Sequence, residues 1–168
     1  MKPGNVIWCE DPWKLKLIVF GMAEAFSRLS AASAALAWPN GLRFNQYVTG
    51  PYRPPELWGL KPDEFFHALS PSVDIWSYSC TMYEAVTGRV LMSPLRSCPP
   101  VSTTKHVVQT WCQLWAVLQS KPRGKRPQPD RHHHFNLRML RSGAWQGPIM
   151  KGLNPDPKLR NWPKEIPF

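Results

Sequence analysis

The stretch S-P-S-V-D-I-W-S-Y-S-C-T-M-Y-E-A-V-T-G, residues 70–88, carries the clearest helix signal in this chain. Pro71 is tolerated in a first helical turn, and Asp74 is favourable near the positive end of the helix dipole. Apolar residues follow at positions 73, 76, 80 and 83, and Gly88 is a typical helix stop. The sequence therefore predicts a helix over residues 71–88 with one apolar face.

The sequence predicts further helices after this helix and extended segments before it. A second helix begins near Thr104, places positions 107, 111, 115 and 118 on one face and ends before Pro122. A short helix is predicted over residues 149–153. Upstream, residues 6–8 and 14–19 are β-prone, and charged and apolar residues alternate at the start of the second run. This pattern predicts a hairpin with a half-buried strand.

The composition fits one globular domain with long irregular connections. The chain has 168 residues and is 43% hydrophobic, yet it contains 19 prolines, well above average usage. Each proline fixes its backbone and lacks an N–H, so residues 50–62 are predicted to be irregular. The four cysteines form no CxxC pair and are typical of reduced thiols, and no apolar run is long enough to span a membrane. These features predict a cytoplasmic or nuclear protein without membrane association.

The net charge of +10 favours anionic partners of some kind. The basic residues are spread along the chain and lie mostly in predicted loops, so nucleic acid is not expected as a partner. The basic, proline-rich loop 121–134 ends in His132-His133-His134, which could bind a metal ion. Adjacent histidines in a solvated loop more often bind nothing, and the role of this loop stays open.

Five short motifs occur in a fixed order along the chain: K-P-G-N at 2–5, L-I-V-F-G at 17–21, Y-V-T-G-P-Y-R-P-P-E-L at 47–57, V-D-I-W-S-Y-S-C at 73–80 and D-P-K-L-R at 156–160. In this order and near this spacing they resemble the C-terminal lobe of a eukaryotic-type protein kinase. Lys-Pro in the first motif is similar to the serine/threonine class. Tyr-Arg before Pro-Pro-Glu is similar to the cyclin-dependent and MAP-kinase-like branch. Any one motif alone is weak evidence, but five in order are specific.

The resemblance implies a mainly α fold, a protein-kinase-like C-terminal lobe with a short β-hairpin at the N-terminus and long Pro-rich loops. It makes residues 1–168 one partial kinase domain. The implied parts are a catalytic-loop remnant over 1–8, a degenerate metal-binding strand and loop over 14–21, an activation segment over 22–57, the F helix over 71–88 and a C-terminal helical subdomain over 103–168.

The resemblance also implies roles for residues near the N-terminus. Lys2 would contact the transferred phosphate, and Asn5 would bind Mg²⁺ with its ATP. Val19 stands where the aspartate of D-F-G belongs, and valine has no side-chain oxygen for a hard cation. The family's catalytic aspartate would fall one position before Met1. The intact family uses ATP and Mg²⁺, whereas this chain is expected to bind neither and to be catalytically inactive.

The activation segment and the central helix carry the other implied roles. Thr49 would contact the catalytic loop, Arg53 would bind a phosphoamino acid or its mimic, and Glu56 would form a partly buried ion pair with Arg160. Asp74 would accept hydrogen bonds from the catalytic-loop backbone.

Two further expectations concern packing around the central helix. Ser79 replaces a glycine that is usual in the family, so close packing at this position is expected to be affected. Trp76 and Tyr83 are expected to be exposed, because the neighbours that would cover them in an intact kinase are missing.

Taken together, these features indicate a fragment of a protein serine/threonine kinase whose partner is a protein substrate or another protein. The alternative is a pseudokinase-type protein-binding module, which would use its activation segment and basic loop as a binding surface. A third and weaker hypothesis is a basic protein associated with nucleic acid.

Overall fold

The described part of the chain is mainly helical, with one short hairpin at its start. The computed structural model describes residues 1–10, 13–20, 23, 48–61, 64, 68–93, 104–120, 135 and 145–162. Its strands are β1 (Val6–Glu10) and β2 (Trp13–Leu17), and its helices are α1 (Pro71–Thr87), α2 (Thr104–Ser120) and α3 (Gln146–Gly152). Single 3-10 turns lie at Pro3–Asn5, Gly50–Tyr52, Pro55–Leu57 and Pro157–Leu159. The three predicted helices and the predicted hairpin are confirmed, and α3 begins three residues earlier than expected.

Helix α1 lies at the centre of the described residues. It begins at Pro71 and ends at Thr87, and Gly88 caps it in the left-handed region with φ of 67°. The N–H of Gly88 donates to the Glu84 carbonyl at 2.7 Å. Glycine suits this conformation because it has no Cβ to clash with the backbone.

The expectation that Trp76 and Tyr83 are exposed is wrong. Their exposed fractions are 0% and 1%, because residues from α2, α3 and the loop position Phe135 cover them. Polar residues of α1 are buried too, and several of their hydroxyls donate within the helix. Thr81 and Thr87, for example, donate to carbonyls one turn earlier at 2.8 and 2.7 Å. Buried hydroxyls that are hydrogen-bonded in this way avoid the cost of desolvation.

The contact of α1 with α3 depends on one small residue. A Cβ built on Gly152 would overlap the Ser79 hydroxyl and would lie 3.0 Å from the Ser79 Cβ and 3.2 Å from the Ile75 carbonyl oxygen. Ser79 therefore fits against α3 because the facing position has no side chain. Close packing is kept at Ser79, and the expectation that serine would disturb it is not met, because Gly152 leaves room for the hydroxyl.

Helix α2 packs one apolar face onto this core. Val107, Trp111 and Leu114 are buried along it. The Trp111 indole N–H donates to the Leu153 carbonyl at 2.9 Å, and its ring meets Phe135 edge to face at a centroid distance of 5.0 Å. Burial of an amphipathic face supplies most of the stability of such a helix.

The hairpin pairs Val6 with Leu17 and Trp8 with Leu15 in an antiparallel register. The prediction of a half-buried second strand is wrong, because residues 14–17 are all exposed. Leu15 is 60% exposed and Trp8 is 55% exposed, so the described residues place no second layer over this face. Among the described residues, no helix has the length and apolar character needed to cross a membrane.

Several predictions lie outside the described residues. These are most of the predicted activation segment, over 22–47, and the basic loop 121–134 with its three histidines.

Candidate functional site

The open end of the hairpin brings the residues near the N-terminus next to Val19. The N–H of Ile18 donates to the Asn5 carbonyl at 2.7 Å, one step beyond the β1–β2 ladder. The N–H of Asn5 donates to the Lys2 carbonyl at 2.9 Å and closes the turn before β1. Asn5 and the residue before Val19 are therefore neighbours, as the implied metal site requires.

The residues present at this edge do not fit a Mg²⁺ ion. Mg²⁺ takes a near-octahedral set of oxygen ligands and is usually bound through one or two carboxylates. Asn5 offers one amide oxygen, while Val19 offers none and is 66% exposed. Among the described residues, no group of three or more His, Cys, Asp or Glu side chains could hold a metal ion.

Val19 adopts a backbone conformation that disfavours its side chain. Its φ is 65°, which is the left-handed region, and it is the one non-glycine residue with positive φ in the described part of the chain. A β-branched residue is strained there, because its Cβ approaches the backbone too closely.

Replacement of Val19 by asparagine is therefore expected to stabilise the open end of the hairpin by about 1 kcal/mol, since asparagine tolerates the left-handed region. The measurement is amide exchange of Ile18, whose N–H is bonded to Asn5. Leu15→Asn is the control, because Leu15 is similarly exposed but lies within β2. If Val19→Asn fails to slow exchange relative to the wild type, this explanation of the site is wrong.

Asp74 faces the N-terminus of the chain. Its carboxylate lies 3.8 Å from the Met1 amino group and is 69% exposed. Burial lowers the pKa of that amino group, while the charge of Asp74 raises it. The hydrogen bonds that the resemblance implies from catalytic-loop backbone to Asp74 are not among its described contacts, and an exposed ion pair of this kind stabilises little.

Arg53 is buried within its own segment. Its guanidinium donates to the Val48 carbonyl through Nε at 3.1 Å and through Nη2 at 2.7 Å. It also stacks over the Trp58 ring at 4.8 Å from the centroid. Burial lowers the pKa of this arginine. These contacts hold residues 48–58 as one folded unit, and binding of a phosphoamino acid by Arg53 stays a prediction.

A second set of contacts ties this unit to α1. The Tyr52 hydroxyl donates to the Glu84 carboxylate at 2.6 Å, and the Ser77 hydroxyl donates to the Tyr52 carbonyl at 2.9 Å. Burial, and then the hydrogen bond to Glu84, raise the pKa of Tyr52. Thr49, by contrast, is exposed, and its described hydrogen bond is the one its carbonyl accepts from Tyr52 at 2.9 Å. The Tyr52–Glu84 contact could not be predicted from the sequence, because no local pattern signals a pair 32 positions apart.

The structure brings Glu56 and Arg160 together across the fold. Arg160 Nη1 lies 2.6 Å from Glu56 Oε1, and Arg160 Nη2 lies 2.8 Å from Oε2, which is a two-pronged contact. The Arg160 side chain is fully buried, and that of Glu56 is 18% exposed. Such geometry suits the planar guanidinium and gives the strongest type of charged hydrogen bond.

Arg160 makes further contacts that the sequence did not indicate. It donates to the carbonyls of Asn154 at 2.6 Å, Pro155 at 3.0 Å and Ser72 at 3.2 Å. Its guanidinium also lies 4.9 Å from the centroid of the Trp76 ring. One side chain thus connects Glu56, the start of α1 and the loop after α3.

About half of the chain is similar in sequence to protein kinases. The chain is 39% identical over 92 residues to mitogen-activated protein kinase 12 of Oryza sativa subsp. japonica. The aligned residues make up 54% of this chain and 14% of that protein. The chain is 38% identical over 92 residues to mitogen-activated protein kinase 9 of Arabidopsis thaliana. These aligned residues make up 54% of this chain and 16% of that protein. The chain therefore spans only a small part of the length of these relatives. No protein-family profile and no solved structure matches the chain. The similarity supports a MAP-kinase-like protein kinase fragment.

Proposed function

We propose that this chain is part of a MAP-kinase-like serine/threonine protein kinase and supplies the portion of its helical lobe that holds the end of the activation segment. The observation that carries this proposal is the two-pronged contact between Glu56 and the buried Arg160. Separation of the two partners would leave an uncompensated buried charge, so the contact favours one fixed arrangement of the two segments that it joins. The similarity of half the chain to mitogen-activated protein kinases supports the same reading.

The activity of the parent protein is, on this proposal, transfer of a phosphoryl group from ATP to a serine or threonine hydroxyl of a protein. Catalysis of this reaction depends on positioning and on stabilisation of charge. Lys2 would contact the phosphate and Asn5 would contribute to the Mg²⁺ site, while Val19 leaves that site without its carboxylate. The chain itself is therefore proposed to be inactive.

The isolated chain is expected to transfer no phosphate from Mg²⁺-ATP to generic peptide substrates. The reason is the oxygen-poor edge at Asn5 and Val19, which cannot hold the metal that neutralises the phosphates. The measurement is incorporation of radiolabel from γ-labelled ATP. Turnover by the wild-type chain that disappears in Lys2→Ala would overturn the proposal of inactivity.

Val19→Asp tests whether the missing carboxylate at position 19 is what prevents Mg²⁺ binding. It adds a carboxylate next in sequence to Ile18, whose N–H is bonded to Asn5, and is expected to raise Mg²⁺ affinity about tenfold, because the site then has an anionic ligand. Calorimetric titration with Mg²⁺ measures this affinity, and Val19→Asn is the control without added charge. Equal affinity in the two variants would show that position 19 does not face the proposed site.

The second candidate function is a pseudokinase-type protein-binding module. It is favoured by the combination of a poor metal site at Val19 with a fully anchored segment over residues 48–58. On this hypothesis the segment serves as a surface for a partner protein and needs no nucleotide. Binding of a partner that is unaffected by removal of Mg²⁺ and ATP favours it over the first candidate.

A further inference from the structure

The exposed apolar side chains of the described residues are concentrated on the β1–β2 hairpin and the residues directly after it. Most of the large hydrophobic side chains that are exposed in this part of the chain fall within residues 7–20: Ile7, Trp8, Leu15, Leu17, Val19 and Phe20. The others are distributed over α1, α2 and the residues after α3. Single exposed apolar residues are normal on a protein surface, whereas a contiguous group of them marks a place of interaction.

The register of the two strands gathers part of this surface into one apolar face. Residues directly opposite each other in an antiparallel pair lie on the same face, and successive residues of a strand lie on alternate faces. The pairs Val6–Leu17 and Trp8–Leu15 therefore share a face, which we call the apolar face. Trp8 is 55% exposed, Leu15 is 60% exposed and Val6 is half-buried, so this face is open to a partner.

The opposite face of the hairpin carries positive charge. Lys14 lies opposite Cys9 and Lys16 lies opposite Ile7, so both lysines belong to the face that we call the basic face. Both lysine side chains are exposed. Glu10 is the one acidic residue within the two strands, and it lies at the end of β1. The hairpin is therefore amphipathic, with an apolar face and a basic face.

This arrangement fits the interface of a lipid bilayer better than it fits water. Elements with Trp and Leu on one side and Lys on the other lie in the plane of the interface, with the apolar side at the boundary of the acyl chains. Tryptophan is favoured at this depth because its ring is apolar while its N–H is polar. Lysine has a long apolar stem, so its ammonium can reach the headgroups around the hairpin. The net charge of +10 attracts the whole chain to an anionic surface.

We propose that the β1–β2 hairpin binds the surface of a membrane that carries anionic lipids, with its apolar face at the acyl-chain boundary and its basic face among the headgroups. The inference goes beyond the proposed kinase function and does not rest on it. The sequence predicted no membrane association because it contains no long apolar run. A hairpin that lies on the surface needs no such run, so the proposal differs from that prediction.

Two other occupants of the apolar face fit less well. A second copy of the chain is disfavoured, because two chains of net charge +10 repel each other. Single-stranded nucleic acid stacks its bases on aromatic side chains while nearby basic residues follow its backbone. Here Lys14 and Lys16 lie on the face opposite Trp8, so a strand stacked on Trp8 would lie on the wrong side of the hairpin for these lysines.

The test is sedimentation of the full chain with lipid vesicles at increasing lipid concentration. One set of vesicles is a mixture of phosphatidylcholine and phosphatidylserine, and the other set is phosphatidylcholine alone. We expect saturable binding to the first set and at least tenfold weaker binding to the second, because only the first set attracts the basic chain.

Variants of the apolar face test whether the hairpin is the part that binds. Trp8→Gln combined with Leu15→Gln is expected to weaken binding to the phosphatidylserine vesicles at least tenfold, because less apolar surface is buried. The matched control is Trp162→Gln combined with Leu159→Gln. These two residues are 51% and 59% exposed but lie outside the hairpin, so their replacement is expected to change the affinity less than twofold.

Variants of the basic face leave the Trp8–Leu15 contact intact, so they test the proposal without changing the apolar face. Lys14→Gln combined with Lys16→Gln is expected to weaken binding to phosphatidylserine vesicles about thirtyfold, since each lysine at an anionic surface contributes about fivefold. Lys151→Gln combined with Lys158→Gln is the control, because both residues are exposed and the same charge is removed. This control is expected to weaken binding less than threefold.

Equal losses in the hairpin variants and in their controls would mean non-specific attraction to a basic chain and would overturn the proposal. So would equal binding to the two kinds of vesicle, or absence of binding to phosphatidylserine vesicles. A short single-stranded RNA that displaces the vesicles at lower concentration, or lipid-independent self-association that Trp8→Gln with Leu15→Gln abolishes, would show that another occupant covers the apolar face. The assay contains no nucleotide and no substrate, so its failure leaves the kinase-lobe proposal untouched.

Discussion

Glu56→Ala is expected to destabilise the fold by about 3–5 kcal/mol, because it leaves the buried guanidinium of Arg160 without its counter-charge. Arg160→Ala should cost at least as much, since it also removes the donors to three backbone carbonyls. A domain of ordinary stability has only about 5–15 kcal/mol to lose, so either variant is expected to be largely unfolded in mild denaturant. Urea unfolding followed by circular dichroism measures both losses.

Two control variants distinguish the effect of the buried ion pair on stability from the effect of removing a charged side chain anywhere in the protein. Asp74→Ala removes the exposed carboxylate near Met1 and is expected to cost less than about 1 kcal/mol. Arg160→Lys keeps the charge but lacks the planar fork, so it should recover only part of the loss. If Asp74→Ala costs as much as Glu56→Ala, the proposed distinction between buried and exposed pairs fails.

Gly152→Ala is expected to destabilise the fold by about 1–3 kcal/mol, because its methyl group would overlap the Ser79 hydroxyl at the contact of α1 with α3. Backbone as well as side chain lies in the way, since the Ile75 carbonyl oxygen is 3.2 Å from the same position. The two helices would have to separate, and this contact covers part of the central core. The midpoint of thermal unfolding measures the effect.

Gly147→Ala is the matched control within the same helix. Nothing lies within 4 Å of a Cβ at Gly147, so alanine there is expected to be neutral or to stabilise by up to about 1 kcal/mol. Ser79→Gly introduced together with Gly152→Ala should restore part of the lost stability by making room for the methyl group. A loss that the second substitution does not reduce would contradict the steric explanation.

Local signals in the sequence predicted the helices and the hairpin. Helix α1 follows from the spacing of apolar residues between Pro71 and Gly88, and each boundary depends on one residue with a known backbone preference. The hairpin likewise depends on neighbours in the chain. These elements could be predicted because the residues that determine them lie within a few positions of each other in the sequence.

The exposure of residues and the detail of the site could not be predicted in this way. The alternation of residues 14–17 is the same whether a second layer covers the strand or not, so the prediction of a half-buried strand was wrong. The pairing of Ser79 with Gly152 depends on how closely two helices approach, which no local pattern encodes. The contact of Glu56 with Arg160 was anticipated only through the resemblance to protein kinases. The carbonyl contacts of Arg160 needed the fold itself.

The most direct test of the proposed activation-segment anchor is the coupling energy between Glu56 and Arg160, obtained from unfolding of the wild type, the two alanine variants and the double variant. If residues 48–58 are held on the helical lobe by this pair, the double variant should be little less stable than either single one. The coupling energy would then be about as large as the loss in Glu56→Ala, about 3–5 kcal/mol. Losses that add to within about 0.5 kcal/mol are the behaviour of independent sites and would contradict the account.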